Sequence, residues 1–348
     1  METLTLVNKR ASTFRIATGV SDQEENVLVR VVAGGRFGVG AANPTDVTHE
    51  TLESIQSFLS KVPKKVAGTD EHDLLTLHKR LDAIAPGNTA AKAAVDCAVH
   101  DLLAKGQGKP LHALLGTAGR SRILTDMTIG IESKDITVKK AVQHYKKGFR
   151  ALKVKVGLDL EGDVRRVEAV RDAVGPKVEL RVDANQGYTV DQAIRFCEEM
   201  ATLGVVVVEQ PVKAEDLAGL KRVTDASRVD VMADECVRSL SDAKKVVKEH
   251  AADMINIKLM KSAGLHGAIA IDRLAADAGI GTMVGCMGEL QVSIAAGLHF
   301  ALSSENVRFA DLDSHFNMLD DQTSGLEFED GHLMAPKGVG LGVRTPFG

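Results

Sequence analysis

Five charged residues recur through the middle of the chain, each at the end of a short apolar run. They are Lys155, Asp183, Glu209, Asp234 and Lys258, at intervals of 28, 26, 25 and 24 residues. An interval of this size accommodates one strand and one helix, so we expect the five residues to end five successive parallel strands. In parallel barrels the catalytic groups gather at the carboxyl ends of the strands. The spacing therefore predicts one site built by five strands.

The three acids of this series predict a metal site. Asp183, Glu209 and Asp234 would converge from adjacent strands and offer only oxygen ligands, which suit a hard cation such as Mg²⁺. No His or Cys accompanies them, so zinc is disfavoured. Any one acid alone could instead cap the helix after its strand or form a local salt bridge. Three acids in register on consecutive strands favour the metal.

The two lysines predict acid and base groups on opposite walls. Lys155 falls on the second strand and Lys258 on the sixth, so in a ring of eight strands they face each other across the mouth. Lys153 shares the inward face with Lys155, because side chains alternate along a strand. A neighbouring ammonium and partial burial both lower a lysine pKa, which favours a base near neutral pH. The alternative, a solvated edge with surface lysines, would turn Val154 and Val156 inward.

Two lysines with a metal between them can move the α-proton of a carboxylate. Loss of that proton forms a dianionic enediolate, which requires positive charge already in place. The metal and the ammonium groups supply this charge. One lysine removes the proton and the other returns a proton to the opposite face. The predicted reaction is a 1,1-proton transfer that yields the epimer.

A parallel barrel is the arrangement that would position these residues. From about Ile123, short β-branched apolar runs alternate with amphipathic helices, which is the pattern of β/α units. We predict strands at residues 123–131, 151–156, 178–183, 205–209, 231–234, 254–258, 281–284 and 308–311. Eight such strands close a barrel. The predicted fold class is therefore α/β, with a (β/α)8-type barrel.

Two further regions flank the predicted barrel, which occupies residues 123–312. Residues 1–122 indicate an α+β capping domain, with strands at 25–32 and 36–41, a turn at Gly34-Gly35, and helices at 49–62, 71–84 and 89–105. Residues 313–348 contain APKGVGLGV at positions 335–343, an extended segment that we expect to pack back on the capping domain. No low-complexity linker separates these regions, so tight packing between them is expected.

Composition argues against several classes of function. The 348 residues carry a formal charge of -4 and include two Tyr, ten Phe and no Trp, which disfavours nucleic-acid binding. The four cysteines stand singly, so we expect small buried residues in a reducing compartment. No apolar stretch is long enough for a membrane span, and the first residues do not resemble a signal peptide. We expect a cytoplasmic homo-oligomer that acts on a small molecule.

The motifs together resemble the enolase superfamily, in the muconate lactonizing enzyme subgroup. KVK, DAN, EQP, ADE and NIK occur in the family's order and spacing, and AAKAAVDCAVHDLLAKGQGKPLHALLG is similar to part of its capping domain. The resemblance implies Mg²⁺ as the cofactor, held by the three acids, with the two strand-end lysines as the acid/base pair. Supporting roles are expected for Asn185, Glu235 and Glu289.

Asp311-Leu312-Asp313, at the end of the eighth predicted strand, resembles the D-x-D motif of the dipeptide epimerases in this subgroup. The resemblance implies that both aspartates bind the α-ammonium of the substrate's N-terminal residue, and their side chains would share one face. Thr128 and Lys153 are expected among the substrate-binding residues. The alternative is a turn-forming acidic pair before Ser314. The expected function is a Mg²⁺-dependent dipeptide epimerase.

Two departures from the family pattern bear on the substrate. In the Ala-Glu epimerases we would expect an arginine in the capping loop near residues 18–21, where this chain has Thr-Gly-Val-Ser. The sequence therefore does not determine which side chains the substrate carries. The frequent G-x-G-E of the cap is Gly38-Val39-Gly40-Ala41 here, and the missing acid is expected to alter how the cap is held.

Other interpretations use the same residues. An o-succinylbenzoate synthase, an N-succinylamino acid racemase or a lactonizing cycloisomerase would share the metal site and lysines, so only Asp311 and Asp313 argue against these enzymes. A non-catalytic barrel that binds a carboxylate would be expected to have lost at least one of the five core residues. Acid-sugar dehydration usually relies on a His-Asp pair at strands six and seven, and Lys258 holds the strand-six position.

Overall fold

The computed structural model describes residues 1–116 and 118–348. Its N-terminal part is an antiparallel sheet in the order β1-β2-β3, packed against helices. The elements are β1 (Glu2–Ile16), β2 (Gly19–Ala33), β3 (Arg36–Ala42), α1 (Leu52–Val66), α2 (Leu74–Asp82), α3 (Thr89–Gly106) and α4 (Leu111–Leu115). The sequence predicts β2 only from residue 25 and misses β1. β1 is mostly exposed and polar, so it lacks the apolar pattern that marks a strand.

Helix α3 is the centre of the capping domain's core. Its residues 90–104 are buried on all sides. Gly38 and Gly40 of β3 allow this helix to lie directly on the sheet, because a Cβ at either position would stand 1.9 or 2.2 Å from a backbone carbonyl oxygen of α3. Ala41, where the family often has an acid, is buried at 2% exposure. The G-x-G of the cap thus serves close packing between helix and sheet.

Eight parallel strands form the barrel, in the order β12-β11-β10-β9-β8-β7-β6-β5. The strands are β5 (Asp126–Ile129), β6 (Ala151–Lys155), β7 (Glu179–Asp183), β8 (Val205–Glu209), β9 (Asp230–Ala233), β10 (Met254–Lys258), β11 (Gly281–Gly285) and β12 (Val307–Asp311). The helices are α5 (Lys134–Lys146), α6 (Leu160–Val174), α7 (Val190–Thr202), α8 (Leu217–Ala226), α9 (Leu240–Glu249), α10 (Leu265–Asp277) and α11 (Gln291–Ser303). The sequence therefore locates each barrel strand to within a few residues, except the first.

The predicted first strand, residues 123–131, is wrong because the chain forms two strands there. β4 (Arg122–Leu124) pairs antiparallel with β14 (His332–Met334), outside the barrel. At Thr125 the backbone N–H donates to Gly331 O at 3.0 Å, and the chain then enters the barrel as β5. The β-branched and apolar residues on both sides of Thr125 read as one strand, so this change of partner is not visible in the sequence.

The barrel closes at a seam between β5 and β12. These strands are joined by the isolated bridge between Thr125 and Ala310, whereas β10 and β11 pair over five residues. Leu312 N also donates to Thr125 Oγ1 across the seam at 3.1 Å. Side chains near this seam therefore depend on contacts other than a strand ladder.

The C-terminal segment returns to the capping domain. It contains the 3₁₀ helix η1 (Ser314–Asn317) and the short strand β13 (Phe328–Glu329), which pairs with β14. Further on, Leu111 N donates to Gly340 O at 2.8 Å and Gly340 N donates to Lys109 O at 2.9 Å. These contacts are the ones expected for APKGVGLGV.

All four cysteines are free, but they differ in burial. Cys97 and Cys197 are buried, whereas Cys236 and Cys286 are only partly buried. The expectation of four buried cysteines is therefore wrong for two of them, because these two lie in loops at the barrel mouth. Within the part of the chain described above, no helix combines the length and apolarity needed to cross a membrane.

Candidate active site

The barrel mouth brings together the five strand-end residues. Lys155, Asp183, Glu209 and Lys258 are the last residues of β6, β7, β8 and β10, and Asp234 follows β9 directly. Their side chains enter the barrel because alternate residues of a strand share one face. Each residue is at most 7% exposed. The structure thus gathers five charged groups in a buried space.

The acids are not helix caps, which was one of the two alternatives for each of them; the other, a salt bridge, is present at Asp183 and Asp234. The N-cap residues of α7, α8 and α9 are Thr189, Asp216 and Ser239, and each side chain accepts a hydrogen bond from its own helix. The strand-end acids precede these caps by several residues. Their carboxylates are therefore free to face one another across the mouth.

Asp183, Glu209 and Asp234 form a compact cluster, here called the mouth triad. Each offers one carboxylate oxygen, and these oxygens lie within 4.8 Å of one another. Burial, followed by the nearby Asp183 carboxylate, raises the pKa of Glu209 to about 8. Carboxylates so close together in a buried place are stabilised in their charged form by cations beside them. Because all donors are carboxylate oxygens, these residues fit Mg²⁺ and would hold it.

Two ammonium groups approach the mouth triad from opposite walls. Lys155 Nζ donates to Asp183 Oδ2 at 2.5 Å, and Lys258 Nζ donates to Asp234 Oδ2 at 2.7 Å. Their strands, β6 and β10, stand four places apart in the sheet order. The lysines therefore face each other with the triad between them.

The expectation that burial and a neighbouring ammonium lower the lysine pKa values is wrong for two of the three lysines. Burial does favour the neutral amine of Lys258, but the Asp234 and Glu209 carboxylates outweigh burial and raise the pKa. Burial likewise opposes the charge on Lys153, and Asp311 and Glu209 again raise the pKa. Nearby carboxylates dominate both balances. Lys258 can therefore act as a base only when its carboxylate partner is engaged elsewhere.

Asp311 and Asp313 lie at the seam, beside β5. Thr128 N donates to Asp313 Oδ2 at 2.6 Å, and Thr128 Oγ1 donates to Asp311 Oδ1 at 3.3 Å. Lys153 Nζ donates to Asp311 and also to Glu209 Oε2, the latter at 3.2 Å. Lys153 is 1% exposed. It connects the seam to the mouth triad, and its ammonium is shared between the two carboxylate groups.

Two buried charged residues that the sequence analysis missed complete the seam. Asp126, Asp311 and Asp313, here called the seam triad, also have carboxylate oxygens within 4.8 Å of one another. Burial, followed by Asp311, raises the pKa of Asp126 well above its usual range. Arg181, which is 0% exposed, donates from Nη1 to Asp126 Oδ2 and to Ala310 O, both at 2.9 Å. One guanidinium therefore contacts both sides of the seam.

Two further residues at the mouth were also missed. Lys261 Nζ donates to Asp234 Oδ1 at 2.5 Å, and Asn256 Nδ2 donates to Glu209 Oε1 at 2.7 Å. Lys261 follows β10 in a turn, so no strand periodicity marks it. It adds a fourth ammonium to the surroundings of the mouth triad, after those of Lys153, Lys155 and Lys258.

A common signal could have found three of the missed residues. Each precedes a predicted site residue by two positions in the same strand: Asp126 before Thr128, Arg181 before Asp183, and Asn256 before Lys258. Positions two apart share one face of a strand. Polar residues at these positions must therefore enter the barrel, below the predicted site.

The three predicted supporting residues lie around the mouth triad. Asn185 Nδ2 donates to Glu235 Oε1 at 3.0 Å and to Asp183 Oδ2 at 3.4 Å. Glu289 Oε1 accepts a hydrogen bond from Met287 N at 2.8 Å. Burial raises the pKa of both Glu235 and Glu289 to about 7. Both glutamates can therefore change protonation near neutral pH.

A cavity of about 650 Å³ joins the barrel mouth to the capping domain. Lys155, Lys258, Asp311 and Asp313 line it from the barrel, and the hairpin tip at residues 18–21 lines it from the cap. A cavity of this size can enclose a small organic ligand. The ligand would contact both triads and both opposed lysines at once.

Two family models match most of the chain. Residues 1–116 match the mandelate racemase / muconate lactonizing enzyme N-terminal domain, and residues 137–346 match the enolase C-terminal domain-like model. The chain belongs to the mandelate racemase / muconate lactonizing enzyme family. This enolase-superfamily membership and the predicted fold class, a (β/α)8-type barrel with an α+β capping domain, are confirmed.

Relatives within this family carry different substrate names at similar identity. The chain is 37% identical to a hydrophobic dipeptide epimerase of Enterococcus faecalis over 340 residues, 96% of each chain. It is 38% identical to an L-Ala-D/L-Glu epimerase of Clostridium acetobutylicum over 337 residues, 95% of this chain and 94% of the relative. A solved dipeptide epimerase of Enterococcus faecalis, complexed with Mg and L-Leu-L-Tyr, has a TM-score of 0.95 and 36% identity and covers 98% of both chains. Sequence identity alone therefore does not assign the side chains of a substrate.

Proposed function

We propose that this chain is a Mg²⁺-dependent dipeptide epimerase that inverts the α-carbon next to the C-terminal carboxylate. The observation that carries the proposal is a pair of carboxylate triads that both contribute to the lining of one cavity, through Asp234 and through Asp311 and Asp313, with opposed lysines beside the first. A dipeptide has a carboxylate at one end and an ammonium at the other. The mouth triad with Mg²⁺ suits the first group, and the seam suits the second.

The charges at the seam favour a cationic ligand group. The seam triad carries three carboxylates, and its nearest cations are the Lys153 ammonium and the Arg181 guanidinium. Three carboxylates therefore share two cations, and these cations also contact Glu209 and Glu179 outside the seam triad. A free α-ammonium supplies one positive charge and donates hydrogen bonds to carboxylates. Asp311 and Asp313 line the cavity and can reach it, whereas Asp126 lies behind them.

The reaction follows from the positions of the lysines. Lys155 removes the α-proton from one face, and Lys258 delivers a proton to the other face. Mg²⁺, when held by the mouth triad, supplies positive charge next to the substrate carboxylate. Lys261 donates a hydrogen bond to Asp234 and lies beside that site. The same steps run in reverse, so either epimer can be the substrate.

The opposed lysines give a direct test of the proposal. We assign Lys155 to the L epimer and Lys258 to the D epimer, as the resemblance to the subgroup implies. Lys155→Ala should stop epimerisation in both directions but still exchange the α-proton of the D epimer with solvent deuterium. Lys258→Ala should exchange only the L epimer. NMR of each epimer in deuterated water measures this, and exchange of both epimers at comparable rates in either variant would contradict the two-base mechanism.

Related reactions of the same family are separated by the substrate's amine. An o-succinylbenzoate synthase, an N-succinylamino acid racemase or a cycloisomerase would share the lysines and the mouth triad but would not need an ammonium. If N-acylated dipeptides were turned over as fast as free dipeptides, the assignment to one of these other enzymes would be favoured. We expect free dipeptides to be preferred, because the seam carboxylates outnumber the cations that contact them.

Two predictions concern the whole molecule. We propose a homo-oligomer, which sedimentation velocity would test. We also propose a cytoplasmic location, supported by four free cysteines. Fractionation of the source cells with a specific antibody would test the location.

A further inference from the structure

The capping domain contributes a buried ion pair to the wall of the cavity. Arg10 of β1 donates to Glu24 Oε1 from Nη2 at 2.6 Å and from Nε at 3.0 Å. Ser21 Oγ donates to the same oxygen at 2.7 Å. The two charged side chains are 8% and 13% exposed. The Arg10 guanidinium is thus neutralised on the cavity wall, where it would otherwise attract an anion.

Both members of this pair are fixed by the barrel as well as by the cap. The Arg10 backbone forms a bridge with Met318, which follows β12. Glu24 packs on Gly288 of the loop after β11, where an added Cβ would lie 2.1 Å from Glu24 Oε2. Asn43 Nδ2 donates to the same Oε2 atom at 3.4 Å. The glycine therefore provides the space that the Glu24 carboxylate occupies.

The remaining charges on the cap side of the cavity are mainly negative. Besides Glu24, four carboxylates line it: Glu25, Asp46, Glu50 and Glu53. The second guanidinium there is Arg238, which donates to His49 Nε2 at 2.8 Å and to Glu235 O at 3.3 Å. The charged part of this surface, here called the cap-side wall, consists of these five carboxylates with Arg10 and Arg238. Its carboxylates outnumber its guanidinium groups.

We propose that Glu24 is a specificity residue that makes the site select dipeptides with uncharged or cationic side chains and reject those with an acidic side chain. This inference rests on the proposed dipeptide epimerase function. An acidic side chain on the cap-side wall would meet like charges, and the Arg10 guanidinium that could pair with it is held by Glu24. Repulsion of the wrong ligand is an established route to specificity. The loop at residues 18–21 adds no cation to offset it.

The first experiment compares three dipeptides with the unmodified protein. L-Ala-L-Glu, L-Ala-L-Gln and L-Ala-L-Lys are incubated with Mg²⁺ in deuterated water, and mass spectrometry measures α-proton exchange. Glutamine matches glutamate in shape, so their ratio of kcat/KM isolates charge. We expect the Gln and Lys dipeptides to exceed the Glu dipeptide by about tenfold or more. Equal values for Glu and Gln would overturn the inference, whereas exchange of no dipeptide would instead overturn the proposed function.

The second experiment releases Arg10. Glu24→Gln keeps the shape of the side chain but removes its charge, so the preference for Gln over Glu dipeptides should fall by about tenfold, mainly through a lower KM for the Glu dipeptide. Arg10→Met in the Glu24→Gln background should restore the preference. A merely structural role for Glu24 would change kcat/KM for both dipeptides equally, and an unchanged preference would overturn the inference.

Two other variants guard against indirect effects. Glu2→Gln is the matched control, because Glu2 pairs with Arg30 at 3.1 Å on the same two strands, and neither residue lines the cavity. It should leave the preference unchanged. Asp46→Asn alters an exposed carboxylate of the cap-side wall without a buried partner. It should lower the preference for Gln over Glu dipeptides, as Glu24→Gln does, but by a smaller factor. A shift in the opposite direction would contradict the proposal that the carboxylates of the cap-side wall repel acidic side chains.

Discussion

The two triads contain the same kind of residue but are built differently. Both bring three buried carboxylates within 4.8 Å of one another. The mouth triad sits at the ends of neighbouring strands β7, β8 and β9, whereas the seam triad spans the break between β12 and β5. Lysines from the cavity surround the first, while Thr128 and Arg181 permanently hold the second. The comparison shows that the donors around an acidic cluster, rather than the acids themselves, determine which cation fits.

The largest expected effect comes from breaking the mouth triad. Asp183→Asn removes one charge and one oxygen donor from the proposed Mg²⁺ site, so turnover should fall by more than about a hundredfold while the barrel stays folded. Steady-state kinetics with a Mg²⁺ titration measures the loss, and circular dichroism checks the fold. Asp225→Asn is the control, because Asp225 has a side chain that is 60% exposed on α8. Near-normal turnover of Asp183→Asn, or of the unmodified protein in excess chelator, would contradict the site.

The second prediction concerns the cation that holds the seam. Arg181→Met leaves the Asp126 carboxylate buried without its partner, which should lower the free energy of unfolding by about 3–5 kcal/mol. Denaturant unfolding followed by circular dichroism measures the change. Adding Asp126→Asn to Arg181→Met should recover part of the loss, since it removes the uncompensated charge. If the double variant were less stable than Arg181→Met, loss of the ion pair with Asp126 would not explain the destabilisation that Arg181→Met causes.

A third prediction separates the seam triad from the mouth triad by function. Asp313→Asn removes one charge-assisted contact to the substrate ammonium, a contact worth about 1.5–3 kcal/mol. Turnover of free dipeptides should therefore fall by about ten- to a hundredfold. The residual turnover of an N-acetylated dipeptide should change little, because it lacks the ammonium. Equal losses on both substrates would assign Asp313 to the fold rather than to recognition.

The smallest expected effect is an acid sensitivity on the seam side. Burial lowers the pKa of His299 and His144 to about 4 and that of His315 to about 3. These residues lie on α11, α5 and η1, which adjoin the seam strands in the chain. An unfolded histidine has a pKa near 6.5. Between that value and about 4 the unfolded chain therefore binds protons that the folded chain does not, and stability must fall as the pH falls.

His299 allows this acid effect to be measured. Its Nδ1 accepts from His112 N at 3.0 Å, and its Nε2 faces Leu341 O at 3.1 Å, so the neutral ring with a proton on Nε2 fits both contacts. His299 should contribute on the order of 2 kcal/mol to the loss between pH 6.5 and 4. Urea unfolding at several pH values should show that the free energy of unfolding falls less steeply with falling pH in His299→Gln than in the unmodified protein. The same pH dependence in both proteins would show that His299 does not contribute to the loss of stability.

The contrast between the triads also explains what the sequence could predict. The mouth triad was accessible because its acids end consecutive apolar strands at regular intervals. Asp126 and Arg181 stand two positions before predicted site residues, which indicates their face of the strand, but their pairing joins residues 55 positions apart and no local pattern predicts it. D-x-D was visible as a motif, yet the contact between Lys153 and Asp311 depends on barrel closure. The alternation of residues along a strand indicates which face of the strand a residue occupies, but it does not indicate which residue it contacts across the inside of the barrel.

The fold shows the same limit at its edges. Seven barrel strands follow the predicted order because buried parallel strands have an unmistakable apolar pattern. β1 was not predicted, because its exposed polar side chains resemble those of a loop. Glu24, on the hairpin that β1 begins, therefore had no predicted position relative to the barrel. Its contact with Gly288 joins residues that are far apart in the chain. The local periodicity of the sequence does not predict such contacts.

The return of the C-terminal segment has a consequence for biosynthesis. Asp101 of α3 accepts a hydrogen bond from Leu341 N at 2.7 Å, and α3 is buried on all sides. Synthesis produces α3 before Leu341, which lies 240 positions after Asp101 in the chain. On the ribosome, part of the surface of α3 therefore stays uncovered until Leu341 has been made, a state that exposes apolar side chains to neighbouring nascent chains. Deleting residues 339–348 should therefore reduce the soluble yield more than the catalytic rate of the molecules that do fold.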